Sequence, residues 1–409
     1  RLKRLPVVPI PVMNLLLKTR VSLDMTSAAL LRRMLAFVAV DVLFLSFATA
    51  HLFEYGGILA AMLYLAAQYT VSTAGYLSGF YVMRLCGTSA QASVRAGLAL
   101  LSLCLLGASQ ATTGVAIAFL VLAGLGRGVA WAGRQWLELH KTEGASREQY
   151  LALLTGLSTL VKIVLPSIAA TVAYFDSDTI QPILIFGGVV GILGVLVWKP
   201  TSVLRCPPVG PLHPISTLAS PAYRNNAGFF LLDAGGASLR QALFVSGTMA
   251  VLGSLSAFGI VESSAALLSA LVLALLATRP TSSPSIGLLK GSMALMALAW
   301  LCLLLTTWHP WMLALFVGLY ALSQPLLQTV KSSLVLKGLM APGIAPQNSA
   351  IARELLQLAA RVSALLAGAV LTTLPEFEYG ALILSVILLL IMMPFEFSRA
   401  RTIAHQKAR

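Results

Sequence analysis

The chain has 409 residues, 58% of them hydrophobic and only 10% charged, with a mean hydropathy of +0.88 and a net charge of +14. A soluble domain carries about 25% charged residues, so this composition excludes an ordinary water-soluble enzyme and points to a polytopic membrane protein. The positive charge is spread over loops and tails, which leaves no basic extramembrane domain on which nucleic acid could bind.

Residues 1–33 are basic and hold a short, proline-broken apolar piece from Val7 to Leu17. They read as a cytoplasmic segment lying on anionic lipid. Apolar runs of ~17–25 residues can cross a ~30 Å hydrocarbon core as helices. The sequence predicts twelve such spans: 34–54, 57–83, 94–109, 113–136, 149–174, 181–198, 225–253, 257–278, 290–307, 311–333, 349–373 and 380–396. A short turn at Tyr55-Gly56 joins the first two. The expected fold class is all-α and integral to the membrane, with twelve transmembrane helices in two six-helix pseudo-repeats. Residues 34–198 would be the N-terminal six-helix bundle, 199–224 a proline-rich cytoplasmic linker, 225–396 the C-terminal six-helix bundle, and 397–409 a basic cytoplasmic tail.

The connections predict orientation. One set holds Arg84, Arg95, Lys141, Arg147, Lys199, Arg205, Arg224, Arg279 and Lys337. The other holds Glu54, Asp176, Asp178, Glu376 and Glu378, without a single lysine or arginine. The positive-inside bias places the basic loops and both termini in the cytoplasm. Sliding one half over the other superposes Asp41 on Asp233, Gln68 on Glu262, Arg134 on Gln328 and Lys162 on Arg361. The spacing stays near ~190–200 residues, as an internal repeat requires.

Short motifs add a family resemblance. Gly75-Tyr76-Leu77-Ser78-Gly79 keeps the Gly, Leu and Ser of the pattern G-x-L-[AS]-D-R-x-G-R, with Gly79 where the Asp belongs and Arg84 arriving late. Leu125-Gly126-Arg127-Gly128 places an arginine inside the fourth span, and Leu165-Pro166 stands where antiporters carry Gly-Pro. With the six-plus-six layout, the chain resembles the major facilitator superfamily over roughly residues 34–396 and matches no particular subfamily. The resemblance implies two bundles around a central cavity, alternating access, cavity-flanking fifth and eleventh spans, and an embedded fourth-span arginine linked to proton coupling.

Intramembrane charge is costly, so such groups usually face protein or a water-filled cavity. In the run from Ala352 to Arg361, residues Arg353, Gln357 and Arg361 fall four apart and form one polar stripe on a helix. Lys162 and Arg361 lie near the midplane of equivalent spans and read as cationic clamps for an anionic or zwitterionic solute. Guanidinium is the stronger of the two because it grips carboxylate bidentately. The competing reading makes Arg361 a structural partner of Asp233 or Glu262. Arg127, Gln328, Gln357 and Tyr69 complete the solute-binding candidates.

Asp41, Asp233, Glu354 and Glu262 are the proton-coupling candidates, with Arg127 as the expected partner of Asp41 and Arg240 as that of Asp233. Gly235 and Gly236 permit a helix break beside Asp233. Arg353, Arg134 and Arg240 read as gate residues. Arg353 and Glu354 would bridge to Arg134, Lys331 or a nearby loop. Trp136, Trp198, Trp308 and Trp311 look like interfacial anchors.

The function expected from these features is secondary active transport of a small anionic or zwitterionic organic solute by alternating access, coupled to protons. Alternatives are a multidrug or lipid/amphiphile exporter, and a non-transporting sensor or assembly factor on a transporter fold. Five scattered histidines make a membrane-embedded enzyme the weakest reading. No cofactor or metal is expected. The expected partners are a small-molecule substrate, a proton or other coupling ion and the lipid bilayer, but no nucleic acid. The expected state is a monomer that crosses the bacterial cytoplasmic (inner) membrane many times.

Overall fold

Glycine and proline punctuate a chain that is otherwise almost continuously helical. In the computed structural model, residues 25–142, 144–175, 179–277, 286–306, 308–339, 344–373 and 380–405 are described, and among them no strand occurs. The helices are α1 (Met25–Leu85), α2 (Ala90–Gln110), α3 (Thr113–Lys141), α4 (Gly144–Phe175), α5 (Gln181–Val197), a short α6 (Pro214–Ala219), α7 (Pro221–Leu252), α8 (Leu255–Ala277), α9 (Ile286–Leu305), α10 (Met312–Leu339), α11 (Pro346–Thr373) and α12 (Gly380–His405).

Helix α1 is two helices in series. Gly56 and Gly57 leave helical geometry, Gly57 at φ 60°, so the chain turns back between limbs 25–55 and 58–85. The predicted turn lies one residue earlier. Ser89 caps α2 by accepting a hydrogen bond from the Ala92 amide at 3.2 Å, and Gly253 in the left-handed region ends α7.

Several helices run past the apolar limits read from the sequence. α1 begins inside 1–33, α7 begins at Pro221 rather than 225, and α12 continues through 397–405. Hydropathy marks only the stretch that needs hydrocarbon, whereas the backbone hydrogen-bond ladder continues into polar surroundings. Residues 1–24 and 406–409 lie outside the described residues.

Among the described residues, seven helices are long and apolar enough to cross a membrane, and Gln181–Val197, Met312–Gln328 and Ile383–Ser398 are shorter apolar stretches. Large apolar side chains such as Leu63, Leu103, Leu193 and Ile391 are turned outward. The chain is a multi-pass membrane protein.

Before the linker, α1 packs on α3, α4 and α5, and α2 packs on α3 and α5. After it, α7 packs on α11 and α12, α9 on α10, and α8 on α10. The two sets meet mainly along α1–α7, α1–α11 and α4–α8, with a smaller contact between α1 and α8.

Helix α3 is wedged between its neighbours by glycine. A Cβ at Gly126 would fall 2.7 Å from the Gly97 carbonyl oxygen of α2, and one at Gly124 would lie 2.9 Å from the Gln68 carbonyl oxygen of α1. Such backbone-to-backbone approach is how membrane helices gain packing without a hydrophobic drive between them.

At the end of the bundle where α1 starts, the linker lies across both sets. Arg33 donates to the Lys199 carbonyl at 2.9 Å, and Gln91 pairs with the Thr201 backbone in both directions. Trp136 Nε1 donates to the Pro207 carbonyl at 3.0 Å. From the other set, Asn348 Oδ1 accepts from the His213 amide at 2.7 Å. Leu204, Val209 and Leu212 are buried with Phe80, Trp136, Trp198 and Ile351. Trp136 and Trp198 are therefore core residues of this face rather than interfacial anchors, while Trp308 and Trp311 are exposed. Burial pushes the linker thiol of Cys206 above its ordinary range, against a smaller opposing pull from Lys141.

Candidate functional site

Two helical stripes meet across the α1–α11 seam. Tyr69, Thr73 and Tyr76 fall at i, i+4 and i+7 on the second limb of α1, and Glu354, Gln357 and Arg361 at i, i+3 and i+7 on α11. The helices run in opposite directions, so the stripes close as a ladder. The Arg361 guanidinium lies 5.0 Å over the Tyr69 ring, donates to Glu354 Oε1 at 3.0 Å, and donates to Gln357 Oε1 at 3.0 Å. Thr73 donates to Glu354 Oε1 at 3.3 Å. At the linker end, Gln135 Oε1 accepts from the Tyr76 hydroxyl and, at 3.5 Å, from Arg353.

The ladder continues into the first helix set. Arg127 on α3 pairs with Asp41 on α1, Nε to Oδ1, with NH2 3.5 Å from Oδ2. Glu354 lies within electrostatic reach of Arg127 as well as Arg353. Two acids and three arginines, drawn from both helix sets, thus form one network with a surplus of positive charge.

A second network involves other helices and is on the whole more deeply buried. Arg127, Asp41, Arg361 and Glu354 keep 12%, 20%, 21% and 13% of their side-chain surface exposed. In the second cluster, Lys331 lies 3.0 Å from Asp233 and contacts Glu396, whose other oxygen is 3.7 Å from Arg240. There Lys331, Arg240 and Glu396 keep only 5%, 7% and 2%, while Asp233 keeps 17%. The first network spans the α1–α11 seam, and the second is a more deeply buried ionic knot joining α7, α10 and α12.

Several pairings differ from those read in the sequence. Asp233 takes Lys331 rather than Arg240, and Arg240 takes Glu396. Glu354 takes Arg361 rather than Arg134 or Lys331, and Arg134 instead pairs with Glu138 at 2.8 Å and stacks on Trp131. Arg361 contacts neither Asp233 nor Glu262 directly. Gly235 and Gly236 do not break α7. Gly236 makes room for the Arg240 guanidinium, and Gly235 faces the Ala360 carbonyl. The expected Asp41–Arg127 pair is present.

Lys162 is exposed on α4, within electrostatic reach of Glu262 on α8, and does not touch Arg361. Glu262 Oε1 accepts from the Ser46 hydroxyl of α1 at 2.7 Å. Gln328 is exposed on α10, outside the ladder.

The structure brings in Thr73, Gln135 and Glu396, which sequence reasoning missed. Thr73 and Gln135 carry no charge to draw attention in an apolar run, and Glu396 is the last residue of the final predicted span. The spacing of Thr73 from Tyr69 and Tyr76 was the available signal. Among the described residues, no three His, Cys, Asp or Glu side chains converge as a metal site would need.

No protein-family model matches the chain, and no curated protein matches it in sequence. Solved structures do resemble it. A POT family transporter in complex with 5-aminolevulinic acid superposes with a TM-score of 0.66 at 13% identity, covering 90% of this chain and 96% of the other. A POT family transporter bound to a thioalcohol-conjugated peptide gives the same TM-score and coverage at 12% identity. The human organic anion transporter MFSD10 (TETRAN) superposes with a TM-score of 0.61 at 15% identity, covering 91% and 97%. With nine-tenths of its length matched, the chain shares the fold of these transporters.

Proposed function

We propose that the chain is a secondary transporter that carries a small anionic or zwitterionic organic solute across the membrane by alternating access, coupled to protons. In this reading the chain crosses the membrane twelve times, with bundles at 34–198 and 225–396 and both termini in the cytoplasm. One observation carries the proposal: the Asp41–Arg127 and Glu354–Arg361 pairs, each keeping some exposed surface, lie together at the seam between the helix sets.

A carboxylate entering this network would replace Asp41 on Arg127 or Glu354 on Arg361, since guanidinium binds any carboxylate in the same fork geometry. An amine would take the displaced acid. Solute binding then breaks contacts within each set and makes new ones across the seam, which is the differential interaction that shifts a two-state equilibrium. The solutes named for the structural neighbours, an amino acid with separated amine and carboxyl, a peptide conjugate and organic anions, agree with this class.

The test is a thermal-shift panel on purified protein, with ligands grouped by charge. Amino acids and carboxylates stabilise the wild type and lose that effect in Arg361→Met and Arg127→Met. Stabilisation by cationic amphiphiles, undiminished in both variants, would overturn the assignment in favour of an exporter.

A further inference from the structure

The carboxylates of the helix interiors are not alike. Asp41 contacts Arg127, Glu354 contacts Arg361, Asp233 contacts Lys331, Glu396 contacts Lys331 and Arg240, and Glu138 contacts Arg134. Among the described acids of the helix interiors, Glu262 alone has no cation within 4.0 Å. Its Oε1 accepts from the Ser46 hydroxyl, and its Oε2 is buried without a hydrogen-bond partner. An ionised carboxylate is an acceptor at both oxygens, and a buried charge without a paired partner is among the costlier things a fold can hold. A proton on Oε2 removes the charge and leaves the Ser46 bond in place.

The position matters as much as the chemistry. Glu262 lies on α8 one turn from Gly259, where an added Cβ would fall 2.7 Å from the Pro166 carbonyl of α4 and 2.9 Å from Ala170. Phe47 of α1 meets Phe258 edge-on at 5.6 Å beside it. Lys162 is one turn from Pro166 in the same direction, so it stands level with Glu262 across the α4–α8 seam, close enough to feel its charge and too far to contact it. The other elements packed on α8 bring the Ser46 hydroxyl from α1 and the Tyr320 phenol from α10. From α7, Arg240 is engaged by Glu396.

We infer that Glu262 is the proton-binding site of this protein, and that its protonation is the condition for the α4–α8 seam to shut at the face away from the linker. This deepens the transporter reading above and rests on it. The step is a simple protonation, carboxylate plus a proton from water giving the neutral acid. With the proton present, the seam closes as the structure has it. Loss of the proton leaves a carboxylate that must draw Lys162 into contact or admit water. Both need space that the backbone contact at Gly259 denies, so the seam opens.

Spin labels at Tyr55 and Trp308, exposed at that face on opposite helix sets, test this in protein whose accessible Cys86 and Cys206 are replaced by serine. The inter-label distance by pulsed EPR is expected to lengthen in the wild type as pH rises. Glu262→Gln holds the short distance at every pH, and Glu262→Asp keeps the response, which separates loss of the proton from loss of fold. A Glu262→Gln protein that still lengthens with the wild-type midpoint overturns the inference, as does a wild type with no pH response. The measurement uses no solute, so absence of flux in liposomes would refute the transporter reading while leaving this result to stand or fall alone.

Discussion

Gly128→Ala adds one methyl group to α3 directly beside Arg127, and its effect is decided by backbone atoms. The new Cβ would lie 2.6 Å from the Tyr76 amide nitrogen and closer still to the Ser72 carbonyl oxygen, whereas ordinary contact begins at 3.4 Å. Neither atom belongs to a side chain that can rotate away, so α1 and α3 must part by well over ~0.8 Å at this crossing. Overpacking costs ~1–3 kcal/mol, and an obstacle made of backbone belongs at the upper end. The better helix propensity of alanine returns about 1 kcal/mol, leaving a net loss of about 2 kcal/mol. Gly114→Ala on the same helix is the control, because its Cβ would meet nothing within 4 Å. In thermal unfolding of the purified protein, Gly128→Ala lowers the midpoint and Gly114→Ala does not. Arg127 moves with α3 while Asp41 stays on α1, so Gly128→Ala also weakens solute stabilisation. Equal midpoints for the two variants would refute the argument that glycine sets this helix approach.

Other outcomes follow from the same contacts. Lys331→Met leaves Asp233 and Glu396 sharing Arg240, and breaking a buried pair in this way costs ~3–5 kcal/mol. The charge-balanced double variant Lys331→Met/Asp233→Asn recovers part of that loss in the same unfolding assay, and no recovery would show that the knot is held by packing alone. Burial raises the Cys206 thiol and Lys141 only partly offsets it, so its thiolate is scarcer than usual at neutral pH. Maleimide labelling of Cys206 therefore lags that of the exposed Cys86, and the lag narrows as pH rises; equal rates at neutral pH would contradict the packing of the linker.

What the sequence could and could not reveal divides along one line. Helix positions followed from apolar runs and from glycine and proline, because the cost of exposing backbone to hydrocarbon acts locally along the chain. The Asp41–Arg127 pair was legible because depth counted from opposite faces brings the two residues level. The other pairings were not, since they depend on which face each helix turns to its neighbours. Glu354 and Arg361 lie two turns apart on one helix, yet the sequence offered no reason to join them until Tyr69 and Thr73 of α1 closed the other side. Lys162 and Arg361 matched as repeat equivalents, and the structure sets them on different seams, α4–α8 and α1–α11.

Flux into proteoliposomes under an imposed pH gradient tests the solute site most directly, using labelled amino acids and carboxylates chosen by the thermal-shift panel. The wild type is expected to accumulate a charged solute, with the flux falling at least ~10-fold in Arg361→Met, about the loss of one charged hydrogen bond. Flux that persists unchanged without Arg361, or no flux of any charged solute, would contradict the assignment of the α1–α11 ladder as the place where solute binds.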